Sequence, residues 1–148
     1  VRAAIHALLT HHKCNSKIGL VGWGMGGKLA LQTATYRDDL CGVVMFSSLP
    51  EGVSAAELRM LDEPVLAIFG EKDAACPPER VEQMQRIMAG SKLAHEVVVY
   101  AGADRDFFDD SRPAFIADAA EDAWKRALAF LDTHLEVPPR SPVEKPVV

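Results

Sequence analysis

Four short apolar runs, none of them alternating with polar residues, constrain this chain more than any other feature. They are Lys17 to Gly22 (KIGLVG), Leu40 to Ser47 (LCGVVMFS), Pro64 to Gly70 (PVLAIFG) and His95 to Tyr100 (HEVVVY). A strand with one face in water alternates, whereas a strand covered on both faces reads as a continuous apolar block, as inside a parallel sheet. Helical stretches lie between the runs. Met25 to Tyr36 sets Leu29, Leu31 and Ala34 among polar residues, and Pro77 to Ala89 opens on two prolines with Val81, Met84, Ile87 and Met88 at helical spacing. The longest helix is expected from about Pro113 to Leu135, its apolar stripe running through Phe115, Ile116, Ala119, Ala123, Trp124, Ala127 and Leu131. With a short helix between the second and third runs, the order predicts an α/β domain: a mostly parallel sheet flanked by helices.

Residues 1–135 are expected to form that domain. Ile5, Leu8, Leu9 and His12 fall at helical spacing with no capping residue ahead of them, so the chain is expected to open inside a helix. Glu136 to Val148 holds four prolines and little apolar material, and reads as a solvated, disordered tail. No internal repeat is visible.

Composition narrows the class of function. Of the 148 residues, 49% are hydrophobic and 25% charged, enough apolar material for one domain with a core. The net charge of −5 argues against a nucleic-acid surface, which needs clustered Lys and Arg. No apolar run approaches the roughly 20 residues of a membrane-spanning helix, so no membrane insertion is expected. Three cysteines, Cys14, Cys41 and Cys76, are too few and too scattered for a disulfide framework or a zinc site. No metal and no cofactor are expected, and the cytoplasm is the expected location.

In an open α/β sheet the chemistry sits at the carboxyl ends of the strands. The second end, Ser47 to Gly52, reads as packing and turn chemistry. The first carries Gly22-Trp23-Gly24-Met25-Gly26-Gly27-Lys28-Leu29, which satisfies three patterns. As G-x-G-x-x-G it would place a pyrophosphate on a helix N-terminus, but Ser47 and Ser48 stand where a ribose-binding carboxylate is needed. As G-x-x-x-x-G-K-[ST] it lacks the final hydroxyl, Leu29 holding that position. As a nucleophile elbow, G-x-(Ser/Cys)-x-G-G, it has small residues on both sides of the tip, and the tip is Gly24.

The third pattern extends along the chain. Ile18 to Gly27 resembles the elbow strand and turn of the dienelactone hydrolase (carboxymethylenebutenolidase) family. Phe69-Gly70-Glu71-Lys72-Asp73 resembles the loop bearing that family's catalytic acid. Tyr100-Ala101-Gly102-Ala103-Asp104-Arg105-Asp106-Phe107-Phe108, followed by Arg112-Pro113, resembles the loop bearing its histidine. The chain is thus similar to the C-terminal part of an α/β-hydrolase fold. The resemblance implies a Cys or Ser nucleophile, an Asp and a His, and it places them on Gly24, Asp73 and Arg105.

Only the acid is retained. Gly24 has no side chain with which to attack a carbonyl, and an arginine cannot accept a proton near neutrality. The other histidines are badly placed: His95 begins its strand, about 15 to 20 Å from the catalytic edge, His6, His11 and His12 precede the elbow, and His134 ends the last helix. Cys76 is the alternative nucleophile nearest Asp73, with a packing role as the competing reading. Arg105, between Asp104 and Asp106, is expected either to form a salt-bridged cluster with Asp73 that closes the old pocket or to sit in a merely solvated acidic loop.

Three functions follow as expectations. The first is a hydrolase-like scaffold that has lost catalysis and acts as a structural or binding subunit. The second is a working ester or lactone hydrolase with an unrecognised nucleophile, and the third a nucleotide or phosphate binder at Gly22 to Lys28. The resemblance further implies strands before the elbow strand. The edge of Lys17 to Gly22 is therefore expected to be covered by the missing N-terminal half, a second copy or another protein.

Overall fold

The computed structural model describes residues 1–92 and 95–136. Its elements run α1 (Arg2–Leu9), β1 (Gly19–Trp23), α2 (Met25–Ala34), β2 (Gly42–Phe46), α3 (Ala55–Arg59), β3 (Val65–Gly70), α4 (Pro78–Met88), β4 (Glu96–Tyr100) and α5 (Ala117–His134). The four strands form one parallel sheet in the order β1-β2-β3-β4. Leu20 lies opposite Val43, Val44 opposite Leu66, and Ala67 opposite Val97.

The central strands explain the continuous apolar runs. Successive side chains of a strand point to opposite faces, so a strand with helices on both sides needs apolar residues at every position. Val43, Met45, Val65, Ala67 and Phe69 pack with Ile5 of α1, Leu31 of α2, Leu58 of α3 and Met84 of α4. Val44, Phe46, Leu66 and Ile68 face the other way, onto Ala123 and Ala127 of α5 and onto Phe107. Every residue of β2 and β3 is buried.

Strand β4 is less buried than its continuous apolarity predicts. In β4, Val97 and Val98 are only half buried and Val99 is 51% exposed, because β4 is an edge strand with fewer neighbours. At the opposite edge β1 pairs with β2 alone among the described residues. The last helix begins at Ala117 rather than Pro113. The Ile116 N–H donates to the Phe107 carbonyl at 3.0 Å with Ile116 in an extended conformation, so residues 113–116 fold back along the preceding loop. Phe115, Ile116 and Trp124 consequently lie partly in solvent, and Ala120, Ala123 and Ala127 make the buried face. The tail expected from Glu136 lies, beyond Glu136 itself, outside the described residues. Among the described residues no helix is long and apolar enough to cross a membrane.

One buried acid sits at the amino end of the sheet, away from the strand ends that carry the motifs. Glu63 is 1% exposed, and neither carboxylate oxygen has a hydrogen-bond partner among the described residues. Burial, reinforced by Asp62, pushes its pKa from 4.5 up to about 7. The folded chain therefore holds a proton that the unfolded chain releases near pH 4.5, so Glu63's contribution is fully present below that pH and is lost as pH rises through about 7. Glu63→Gln is expected to raise stability at about pH 8 by on the order of 1 to 3 kcal/mol and to have little effect at about pH 5, read as urea midpoints at the two pH values.

Candidate functional site

The carboxyl ends of β1, β3 and β4 converge on one cleft. At the first, the chain turns from β1 into α2 through Gly24, whose φ of +50° and ψ of −115° are far from the regions open to other residues. A residue with a side chain stores on the order of 1 to 3 kcal/mol in such a turn, which glycine relieves. The turn is held by backbone: the Gly24 N–H donates to the Phe46 carbonyl at 2.9 Å, and the Gly24 carbonyl accepts from the Lys28 N–H at 3.2 Å and from the Ser48 hydroxyl. Gly22 sets how closely α2 approaches β1. A Cβ there would lie 2.3 Å from the Gly26 carbonyl carbon and 2.4 Å from the Gly27 nitrogen, distances no side chain tolerates.

The loop after β3 delivers Asp73. Its side chain is 1% exposed, and Oδ1 accepts from the Ala75 N–H at 2.9 Å. The loop after β4 delivers Arg105 and is tied to the first: the Lys72 N–H donates to the Ala103 carbonyl at 2.8 Å, and the Gly102 N–H to Glu71 Oε2 at 2.7 Å. Arg105 Nη1 lies 3.4 Å from both carboxylate oxygens of Asp73. Its other terminal nitrogen, Nη2, lies 2.9 Å from the point a Cβ on Gly24 would occupy. The guanidinium thus stands in the space a side chain on Gly24 would need, and Asp73 pairs with it there. Gly24, Asp73 and Arg105, distant in sequence, meet in one place.

The salt bridge does not close the pocket. A cavity of about 520 Å³ remains above Gly24, walled by Trp23, Ser47, Arg105 and Phe108 with Asp106, Asp109 and Asp110 also lining it. A second chamber of about 290 Å³ shares Gly24, Ser47 and Arg105 with the first and reaches Met25, Lys28 and Cys76. Trp23 stacks on Phe46 at 4.9 Å with an interplanar angle of 8°, and Phe108 packs 4.9 Å from the same ring. The acidic loop is solvated outside Arg105: Asp106, Asp109 and Asp110 are exposed, and hydrogen bonds from Ser111 hold Asp109 below the usual carboxylate range.

Neither alternative chemistry gains a poised group. Cys76 is buried, and burial together with the Asp73 charge pushes its thiol up to about 12, which leaves it protonated at neutral pH. Cys14 and Cys41 are half buried and precede β1 and β2, at the other end of the sheet. None of the five histidines lines either chamber. His95 lies just before β4, its Nδ1 accepting from the Val65 N–H at 3.2 Å, with burial lowering its pKa. Lys28, the lysine of the phosphate-loop pattern, places its ammonium against Glu51, and Leu29 is partly exposed.

Two site residues lie at a strand end that reads from the sequence as packing. Ser47 follows β2 with φ +48° and donates its hydroxyl to the Arg105 carbonyl at 3.2 Å, while the Ser48 hydroxyl donates to the Gly24 carbonyl. Adjacent hydroxyls after a fully apolar strand were the available signal, since apolar packing gives no reason for them.

Comparison with known proteins places the chain in a family. The model of the dienelactone hydrolase family matches residues 1–135. A protein of Escherichia coli strain K12, provisionally named a carboxymethylenebutenolidase, is 37% identical over 122 residues, covering 77% of this chain and 45% of its own length. One of Yersinia pestis with the same provisional name is 28% identical over 137 residues, covering 87% and 51%. The chain thus spans about half the length of the curated relatives it matches. Among solved structures, a provisionally named dienelactone hydrolase from Klebsiella pneumoniae superposes with a TM-score of 0.69 at 29% identity, over 76% of this chain and 50% of that one. The dienelactone hydrolase-like promiscuous phosphotriesterase P91 from metagenomic libraries shares the fold, with a TM-score of 0.76 at 22% identity over 90% and 59%.

The elbow's dependence on Gly22 has a direct test. Gly22→Ala forces backbone apart and is expected to cost roughly 2 to 4 kcal/mol, whereas Gly26→Ala enters open space in the first turn of α2 and is expected to be neutral or to stabilise by up to about 1 kcal/mol. Urea denaturation of the two variants measures the contrast.

Proposed function

This chain belongs to the dienelactone hydrolase family, and we propose that it is a member that no longer hydrolyses esters or lactones and serves instead as a binding or structural subunit. One observation carries the reading: the guanidinium of Arg105 stands 2.9 Å from the Cβ position of Gly24. Covalent hydrolysis needs a thiolate or hydroxyl at the elbow tip to form the acyl bond, and an imidazole beside it to take the proton and return it to the leaving group. Here the tip has no side chain, and the neighbouring group is permanently protonated. The buried Asp73, which in a triad would orient an imidazole, instead neutralises a cation. The turn, the acid and the cleft are kept while the two reacting groups are not.

The structural part of the proposal is supported by β1. Its outer edge is unpaired among the described residues, Val21 and Trp23 are partly exposed, and an added strand there would satisfy its free backbone groups.

With activated esters and small lactones as substrates, the chain is expected to show no saturable hydrolysis, and Asp73→Ala is expected to leave the background unchanged. Saturable turnover that disappears in Asp73→Ala would overturn the reading. Loss of turnover on Cys76→Ala would identify the thiol as an unrecognised nucleophile.

A further inference from the structure

Strand β4 reads Glu96-Val97-Val98-Val99-Tyr100 and forms an outer edge of the sheet, with no neighbour on its far side among the described residues. A sheet edge that must stay single is ordinarily blunted by a lysine, a proline or a bulge. β4 carries none of these. Its one charged side chain, Glu96, is paired with Arg126 at 3.5 Å, and its register against β3 runs unbroken from Leu66–Glu96 to Gly70–Tyr100. Val99 is nevertheless 51% exposed. We infer that this edge is a self-association surface, on which β4 of a second copy of the chain pairs antiparallel about a two-fold axis through Val98.

The backbone decides which residues can bond outward. The Tyr100 carbonyl accepts from the Glu71 N–H at 3.0 Å, so Tyr100 directs its backbone groups at β3. Alternation along the strand gives Val98 the same inward direction and leaves the N–H and C=O of Val97 and Val99 pointing away from the sheet. A two-fold at Val98 sets Val97 of each copy against Val99 of the other. Both members of such a pair bond outward and exchange both N–H···O bonds, while Val98 meets Val98 at the closer, non-hydrogen-bonded position.

The side chains fit the same axis. In register with Ala67 and Phe69, Val97 and Val99 lie on the face covered by α4, whereas Val98 and Tyr100 lie on the face covered by α5. Rotation about an axis perpendicular to the sheet keeps each face on its own side, so Val97 of the second copy covers the exposed Val99. It thereby closes one side of a groove of about 220 Å³ lined by Phe69, Val81 and Val99. On the α5 face the charges are complementary. Tyr100 donates to Asp122 at 2.7 Å at one end of the strand, and Arg126 reaches Glu96 at the other. The axis exchanges these ends, which brings Arg126 of one copy toward Asp122 of the other and keeps the two Glu96 carboxylates apart. Self-complementarity of this kind is what a two-fold interface requires, and it selects a second copy over an unrelated strand. The two sheets become one continuous sheet. Because the strands run antiparallel across the junction, the two clefts open at opposite ends of it, and both β1 edges stay outermost.

The experiment is light scattering of the full chain at about 50 µM, where a dimer is expected. Val99→Lys puts a charge on an exposed position, and Val99→Pro removes an outward N–H without touching the bonds to β3. Each is expected to weaken dimerisation at least tenfold while keeping the far-UV circular dichroism of the parent chain. Val98→Cys is the positive counterpart, since two cysteines opposed at the axis are within disulfide reach. Oxidised glutathione is expected to convert this variant to a covalent dimer on non-reducing gels, and to leave Val21→Cys, on the edge of β1, largely monomeric. Should the Val99 variants not fold, the Val98→Cys crosslink decides alone. A monomeric parent chain, a dimer that persists in folded Val99→Lys and Val99→Pro, or a Val98→Cys chain that forms no more covalent dimer than Val21→Cys would each overturn the inference. None of these readouts depends on turnover, so their failure is separate from failure of the proposed loss of hydrolysis.

Discussion

Strand β1 passes into helix α2 only because Gly22 has no side chain. With the Gly26 carbonyl carbon 2.3 Å from where its Cβ would be, the helix could not start so close to the sheet if any other residue stood there. That approach aims Gly24 at the cleft, brings Ser48 under the Gly24 carbonyl, and fixes the height at which the loops carrying Asp73 and Arg105 must meet the elbow. The cleft depends on this contact first and on the identity of the reacting groups second. The close approach at Gly22 does not depend on which side chains line the cleft, so the turn is compatible with the proposed loss of hydrolysis.

The exchange at the elbow is physically coherent. A nucleophile held at φ near +50° is strained, and a buried carboxylate without a partner is costly. Glycine relieves the first. Arginine addresses the second, since without it Asp73, at 1% exposure, would keep only the Ala75 N–H as a partner, and its guanidinium fills space that a side chain on Gly24 would need. The two residues suit each other: a side chain at Gly24 would require the Arg105 guanidinium to shift, and Arg105 supplies the cationic partner of Asp73.

Much of this was legible in the sequence. Continuous apolarity in Val43 to Phe46 and Val65 to Phe69 marked strands buried on two faces, and the glycine spacing marked the elbow. The valines of Glu96 to Tyr100 carried the same pattern, yet that strand lies at an edge, since strand order is set by packing between distant segments and leaves no local trace. Residues 113–116 read as helical by periodicity, but they form a turn closed by the Phe115 N–H on the Arg112 carbonyl, with Ile116 extended and bonded to Phe107, contacts with the preceding loop that periodicity does not encode. The role of Ser47 has no signature in its own neighbourhood, because it comes from a left-handed backbone and a bond to Arg105, 58 residues away. Motif order made it possible to align Asp73 with Arg105. Only the fold places the guanidinium over Gly24.

The claim that reacting groups have been exchanged for a fixed charge is tested most directly by looking for the covalent intermediate itself. The chain would be incubated briefly with p-nitrophenyl acetate, quenched in acid and mapped by peptide mass spectrometry across residues 22–28, 47–48 and 70–76. The account predicts no acetyl group on any cleft residue. A stoichiometric acetyl on Cys76 or Ser47, formed and lost at the rate of ester cleavage, would contradict it.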